Sequence, residues 1–351
     1  MNKKDKKKFK RKNIRLKNIE IDNLNEFEDD EVVEDKRATH KTSKKGKKST
    51  KSDLDLKEAR VIEVLSNNKC KVKFDNEVLE CVISGRLKHV THKTRTIIAV
   101  GDIVNIDIAN ENRIEEILPR KNSLSRFTED SFQKEVILAA NVDQVVITGS
   151  FFEPDLNLGL IDRYLCVANI FDITAIICIN KIDLAYEEII EELDFYKQNG
   201  YKVIFTSIKT GQGISELKNQ LQNCETVFSG ASGVGKSSLI NLLQPGLNLR
   251  VSEVSDYSGK GMHTTTSARL IEWNFGGFLV DTPGIRSLTL LSKFKNIIPD
   301  LFPGFDRYLG GCKFLDCTHT HEIKCGVKEA VEKGLYSEEH YESYLRIMES
   351  L

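Results

Sequence analysis

The sequence predicts a multidomain chain. An amino-terminal β-barrel of the OB-fold kind spans residues 58–122. A central α/β domain around a phosphate-binding loop spans 123–298, and a small α-rich metal module spans 299–351; residues 1–57 form a charged, disordered tail. Three observations carry this division. Residues 58–117 hold about five short alternating apolar runs separated by turn residues. Gly230-Ala231-Ser232-Gly233-Val234-Gly235-Lys236-Ser237-Ser238 matches the pattern Gly, four residues, Gly-Lys-Ser between a buried strand and a helix start. Cys312, Cys317, His319 and Cys325 follow a Cys-x4-Cys-x-His-x5-Cys spacing.

The tail is set apart by charge. The chain's 51 Lys and Arg against 52 Asp and Glu give a net charge of −1, which conceals strong blocks. Residues 1–18 are dominated by Lys and Arg, 20–35 are acidic with no basic residue, and 36–51 are basic again. Such blocks repel internally and bury little. Two roles fit, a solubilising tail and an RNA-seeking arm. The tail lacks the apolar core of a secretory signal, and no run of eighteen apolar residues exists, so neither export nor a membrane partner is expected. The eight cysteines show no small secreted framework; with a nucleotide site, this points to a reducing cytoplasm.

In the barrel, Arg60-Val61-Ile62-Glu63-Val64, Cys70-Lys71-Val72-Lys73-Phe74, Glu80-Cys81-Val82-Ile83, the run from Ile103 to Ile108, and Arg113-Ile114-Glu115-Glu116-Ile117 read as strands. The segment from Arg86 to Arg95 is basic and suits a nucleic-acid backbone, the competing reading being a solvated loop. His89 and His92 within it read as surface residues.

The central domain opens with a buried strand at Val142–Thr148, a helix over residues 157–171 and a second buried strand at 173–179. That strand ends in Asn180-Lys181-Ile182-Asp183, the Asn-Lys-x-Asp pattern of guanine recognition. The Asp183 carboxylate accepts from the ring N1–H and the exocyclic amine of guanine. Asn180 bonds the other ring edge and braces the phosphate loop, and the Lys181 stem covers the ring face. Adenine carries an acceptor at N1, which would leave Asp183 unpaired, and such buried mismatches are rejected strongly. A helix over 187–199 and a strand over 202–206 lead to Ser207-Ile208-Lys209, similar to the Ser-Ala-Lys loop behind the base, so Ser207 and Lys209 join the candidate nucleotide site. A helix over 214–221 follows, and only then the strand at 226–228 and the glycine loop. Backbone N–H groups of that loop and the helix N-terminus favour phosphate, with Lys236 on the β- and γ-phosphates and Ser237 on Mg²⁺.

Downstream, Gly259-Lys260-Gly261-Met262-His263-Thr264-Thr265-Thr266 precedes a hairpin that turns at Gly276-Gly277, and Asp281-Thr282-Pro283-Gly284 closes the set. One threonine, taken as Thr265, is expected to ligand Mg²⁺, Asp281 to hold a magnesium-bound water, and the Gly284 N–H to report the γ-phosphate. All five elements of a guanine-nucleotide switch are present, but base recognition comes before the phosphate loop. This is a circular permutation, which is tolerated when domain termini lie close together. Ile285 follows Gly284, where switch-type GTPases use a Gln to orient water. His263 is the candidate for that catalytic role, the competing reading being a loop histidine without one.

In the last module four soft or borderline ligands within fourteen residues suit one tetrahedral structural Zn²⁺. His321 is out of step with the set. Cys70, Cys81, Cys166, Cys178 and Cys224 read as core or partly buried thiols. Short helices are expected over 327–333 and 338–348, and a segment this small needs its metal to fold stably.

Over residues 58–350 the pattern resembles the ribosome small-subunit-dependent GTPase A family, RsgA or YjeQ. The resemblance includes Pro119-Arg120-Lys121-Asn122, Ala140-Asn141-Val142-Asp143-Gln144, Asp162-Arg163-Tyr164-Leu165, the permuted motifs, the threonine loop with its His263, and the Cys/Cys/His/Cys set. It implies an OB-fold, a permuted GTPase domain and a zinc domain. It also implies late maturation of the small ribosomal subunit, with GTP hydrolysis stimulated by that subunit. The partners expected are GTP and GDP, the small subunit and its rRNA, and the chain is expected to be a monomer. Met262 and Ile323 depart from the family's usual Arg and Pro. A translation or signalling GTPase with a protein partner, and an RNA-binding module with a vestigial nucleotide site, are the alternatives.

Overall fold

The computed structural model describes residues 55–65, 68–88, 96–127, 135–185, 191–247, 268–281, 290 and 292–351. The charged tail through residue 54 lies outside them, as does most of the basic loop at 89–95.

Five strands make the first part: β1 (Leu56–Val64), β2 (Lys69–Phe74), β3 (Glu77–Ile83), β4 (Ile103–Asp107) and β5 (Arg113–Ile117). Their order is β1-β2-β3-β5-β4, and pairing of β1 with β4 closes the ring. All pairs are antiparallel except β3 with β5. Inward positions are apolar: Val61, Val72, Cys81, Val104, Ile106 and Ile114 are buried in one cluster. The first strand begins two residues before the expected boundary at 58. Leu56 and Lys57 pair with Asp107 and Ile106, main-chain bonds to which charge patterning is blind.

A hairpin of β6 (Ser123–Phe127) and β7 (Glu135–Ala140) follows, which the sequence reading omits. The central sheet is then built from β8 (Gln144–Ser150), β9 (Thr174–Asn180), β10 (Lys202–Phe205), β11 (Glu225–Gly230), β12 (Arg269–Glu272) and β13 (Phe278–Asp281). In space they run β10-β9-β8-β11-β13-β12, parallel except for β12. Every residue of β11 is buried, which suits a central parallel strand. Helices α1 (Leu158–Ile170), α2 (Asp194–Gln198), α3 (Ile214–Leu221) and α4 (Lys236–Leu243) accompany the sheet. The first is started by Asn157, whose side chain accepts from the Leu160 N–H at 2.9 Å. It buries Ile161, Leu165 and Ala168 at helical spacing. The expected helix over 187–199 is described only from residue 191, with α2 its last regular turn.

The carboxyl-terminal part adds α5 (Gly326–Glu332) and α6 (Glu338–Glu349). It shares its core with the central domain: Phe302, Phe305, Tyr344 and Ile347 belong to the cluster that holds Ile161, Leu165 and Tyr196. Full burial of one such side chain contributes about 1.5–3 kcal/mol. Its polar anchor is His340, whose Nδ1 lies 2.9 Å from Oδ2 of Asp162 on α1. The Tyr196 hydroxyl donates to the same carboxylate at 3.0 Å, and Phe195 stacks on the imidazole at 3.6 Å.

The barrel and the central sheet are joined edge to edge, because β1 also pairs with β12. Arg120 donates to both oxygens of the fully buried Asp102, at 2.6 and 2.8 Å. Asn141 accepts from the Lys121 N–H and donates to the Gly101 carbonyl, both at 2.8 Å. Arg60 reaches across from β1 to Glu225 at 2.7 Å.

Glu225 sits at the buried start of β11. Burial pushes its carboxyl up to about 7, against the attraction of Arg60. The folded protein therefore holds this proton more tightly than the unfolded chain. The resulting stability is fully present below about pH 4.5 and is lost as pH rises through about 7. Glu225→Gln is expected to flatten this part of the stability profile between pH 5 and 8. Parallel melting curves of the two proteins across that range, with identical slopes, would remove Glu225 as the cause.

Candidate functional site

The expected nucleotide-site residues that the structure describes gather at the carboxyl ends of the central parallel strands. Gly230 ends β11, Asn180 ends β9, Asp281 ends β13, and Ser207 follows β10. These strands are parallel, so the loops leave from the same side, where open α/β sheets bind ligands.

The glycine loop is shaped by close approach. Gly230 has φ 140°, and a Cβ there would lie 2.1 Å from the Thr148 carbonyl oxygen on β8. Gly235 has φ 96°, and a Cβ would lie 2.4 Å from Nδ2 of Asn180. Both positions exclude a side chain. Lys236 opens α4 and donates to the Gly230 and Ala231 carbonyls at 2.8 and 2.6 Å, spanning the base of the loop. Ser232 and Gly233 are exposed, Val234 is buried, and Ser237 and Ser238 are half-buried on the first turn of α4.

The base-recognition loop is locked to the phosphate loop. Asn180, 1% exposed, donates from Nδ2 to the Val234 carbonyl at 3.0 Å. The Lys181 ammonium donates to the Phe152 carbonyl at 3.1 Å and to that of Glu153, which lays its stem along the loop after β8. Ile182 and Asp183 form a short 3-10 turn. The Ser207 hydroxyl donates to Oδ1 of Asp183 at 2.6 Å and accepts from the Thr210 N–H at 3.1 Å. Asp183 is exposed and oriented by Ser207, an arrangement able to receive two donors of a base. Lys209, two residues after Ser207, is exposed. Ser207 orienting Asp183 is a role that the likeness to Ser-Ala-Lys alone does not supply.

A divalent cation with nucleotide phosphates needs hard oxygen donors. The Ser237 hydroxyl and the Asp281 carboxylate are of that type, so the residues fit Mg²⁺. Asp281 accepts from Nε and Nη2 of Arg269 at 3.0 and 2.9 Å. His263, Thr265, Gly284 and Ile285 fall outside the described residues.

In the carboxyl-terminal part, the ligand atoms of Cys312, Cys317, His319 and Cys325 all lie within 4.8 Å of one another. The His319 Nδ1 is 3.6 Å from the Cys312 sulfur and 3.3 Å from that of Cys325. Bond lengths of ~2.3 Å to sulfur and ~2.0 Å to nitrogen imply tetrahedral edges of roughly 3.5–3.8 Å, so the set fits one zinc-sized ion. Burial pushes the Cys317 thiol up to about 12 and raises Cys325, so a metal must displace protons to bind. The loop is braced from outside: Tyr341 donates to the His319 carbonyl at 2.8 Å, and Tyr344 to that of Thr318. His321 is not part of the set. Cys70, Cys81, Cys166 and Cys178 are buried and Cys224 partly so; burial pushes Cys178 up to about 12, unsuited to a thiolate role.

A family model described as RsgA GTPase matches residues 117–291. The small ribosomal subunit biogenesis GTPase RsgA of Caldanaerobacter subterraneus subsp. tengcongensis is 38% identical over 280 residues, 79% of this chain and 90% of that protein. The chain belongs to the RsgA GTPase family. RsgA 1 of Vibrio parahaemolyticus is 44% identical over 247 residues, 68% of each chain. Among solved structures, YjeQ from Thermotoga maritima superposes with a TM-score of 0.68 at 32% identity, covering 84% of this chain and 98% of its own. YloQ, described as a circularly permuted GTPase, gives 0.65 at 29%, covering 86% and 97%. RsgA membership accounts for the order of elements here, with the Asn180 loop preceding the Gly230 loop, and makes the chain a GTP hydrolase.

Two outcomes follow from this geometry. Asp183→Asn turns one acceptor into a donor facing the guanine donors. GTP affinity is expected to fall by roughly two orders of magnitude, with a gain for xanthine nucleotide. Unchanged GTP affinity in a binding titration would dismiss the loop as the base reader. Cys317→Ala removes one of the four candidate metal donors, and metal loss with local unfolding of the 312–325 loop is expected while nucleotide binding is largely kept. Full metal content in the purified variant would contradict it.

Proposed function

We propose that this chain hydrolyses GTP as a ribosome-biogenesis factor that binds the small ribosomal subunit and its rRNA and assists late maturation, the subunit stimulating hydrolysis. The observation that carries this reading is the convergence of the glycine loop, the Asn180 loop and Asp281 at the carboxyl ends of the central parallel strands in a chain of this family. The relatives are named for small-subunit biogenesis, which disfavours a translation or signalling GTPase.

In this reading the N–H groups of Gly230 through Ser238 hold the phosphates, Lys236 leaves its carbonyl partners for the β- and γ-phosphates, and Asp183 reads guanine while Ser207 and Lys209 back it. Ser237, Thr265 and an Asp281-held water bind Mg²⁺, and the Gly284 N–H senses the γ-phosphate. When bound, the ion neutralises charge developing on the β- and γ-oxygens. His263 orients the attacking water, since Ile285 offers no hydrogen bond to it. Cys312, Cys317, His319 and Cys325 hold a structural Zn²⁺, which needs no open position. The closed strand order β1-β2-β3-β5-β4 supports an OB-fold for the barrel. A cytoplasmic monomer is part of the proposal, and no described helix is long and apolar enough to cross a membrane.

Sedimentation with small subunits tests it. Co-sedimentation in a non-hydrolysable GTP analogue, weaker in GDP, is expected, with hydrolysis rising on the order of a thousandfold on the subunit. His263→Ala is expected to bind GTP and the subunit normally and to lose most of the stimulation. Absence of subunit binding in any nucleotide state would end this reading.

A further inference from the structure

Arg269 and Asp281 face each other directly across the antiparallel pair β12–β13. Both Nε and Nη2 of the guanidinium lie on the same carboxylate oxygen, at 3.0 and 2.9 Å. Directly opposed side chains are the closest neighbours a sheet offers. The position is unusual in the chain as well as in the sheet. Arg269 is the first residue of β12, immediately after the segment that carries Thr265, and Asp281 is the last of β13, immediately before the segment that carries Gly284. The pair thus clips together the strand ends that lead to the Thr265 and Gly284 segments. Arg269 also faces Glu63 of the barrel strand β1 on its other side.

We infer that Arg269 is a positioning residue that competes with a divalent cation for the Asp281 carboxylate and so sets how much Mg²⁺ the nucleotide site requires. This rests on the reading of Asp281 as the carboxylate behind the magnesium ion. The Arg269–Asp281 pair is held by two nitrogens on a single carboxylate oxygen. It opens when a stronger cation takes the carboxylate, or when β12 moves relative to β13. A charge-assisted pair on one oxygen lowers the negative potential that the ion or its bound water would meet. Both groups are partly exposed, at 51% and 35%. The competition is therefore modest, about two- to fivefold in a cation midpoint. Because β12 pairs with the barrel on one side and with β13 on the other, the same contact makes the position of β1 felt at the carboxylate.

The test uses the full chain and reads nucleotide release, not turnover. Dissociation of a fluorescent GDP analogue is followed while free Mg²⁺ is varied in a chelator buffer. Arg269→Gln is expected to lower the Mg²⁺ midpoint about threefold, and Arg269→Lys, which keeps charge without the two-nitrogen fork, to lower it less. Asp281→Asn is expected to raise the midpoint, and adding Arg269→Gln to Asp281→Asn to change nothing further. If Asp281→Asn moves the midpoint while both Arg269 variants, melting as the wild type does, leave it in place, the inference is overturned and the role of Asp281 stands. If Asp281→Asn leaves the midpoint unmoved, the reading of Asp281 falls instead. A shift on Arg269→Gln that persists in the Asp281→Asn background also overturns it, since Arg269 would then act by another route.

Discussion

Gly230 pairs with Thr148 across two parallel strands with no room between them for a Cβ. Much of the nucleotide site depends on that approach. It brings the loop after β11 against the loop after β8, where Lys181 is anchored, and within reach of Asn180 on the next strand. A larger residue at 230 would push the two strands apart at their carboxyl ends, and the Asn180–Val234 hydrogen bond would open with them. The candidate base-reading and phosphate loops are thus joined through the Asn180 and Lys181 side chains.

The permuted chain order alters what hangs from this arrangement, not the arrangement itself. Segments that meet at the site come from β8–β10 first and β11–β13 last, and the chain then passes into the carboxyl-terminal part. That part is not a loose appendage. Asp162 and His340 form a buried hydrogen-bonded contact between α1 and α6, beside Phe195 and Tyr196. Burying two such groups costs desolvation that a close pair and the Tyr196 hydroxyl offset. Breaking one side leaves the other stranded, so the contact specifies one docking geometry. The same helix α6 also reaches the Cys/His loop, where Tyr341 and Tyr344 donate to the His319 and Thr318 carbonyls.

Much of this was legible in the sequence because the chemistry is local. A phosphate loop needs glycines at fixed offsets, and the four soft donors of the candidate metal set happen to lie close in the chain, so Gly230 to Ser238 and Cys312 to Cys325 announce themselves. The helical spacing of Ile161, Leu165 and Ala168 gave α1 to within a residue or two. The joints were opaque. Arg120, Asn141 and Gln144 stand in motifs that the family resemblance contains, yet their work, holding Asp102, the Gly101 carbonyl and Thr226, is long-range. Nothing in periodicity pairs residue 102 with 120 or 162 with 340. The β6–β7 hairpin escaped because its second strand carries four successive buried residues, Ile137, Leu138, Ala139 and Ala140, instead of an alternating face. Ser207 was placed by likeness to a loop, whereas its hydrogen bond to Asp183 gives the physical reason.

The joining of barrel and central sheet through β1 and β12 has a consequence for colloidal behaviour. A strand at the rim of a sheet offers unpaired N–H and C=O groups to any passing chain. Here the rim at β12 meets β1 at Arg269, opposite Glu63, and Lys73 of β2 ion-pairs with Glu272 at its other end; the barrel closes on itself through β4. Among the described residues the eleven-stranded sheet keeps one open rim, β10. That strand is only four residues long, and Lys202 on it is exposed and ion-paired with Glu216, which makes it a poor template. A fragment cut at the barrel boundary would bare β12 and become prone to self-association, so the barrel also serves the central domain as the guard of its edge.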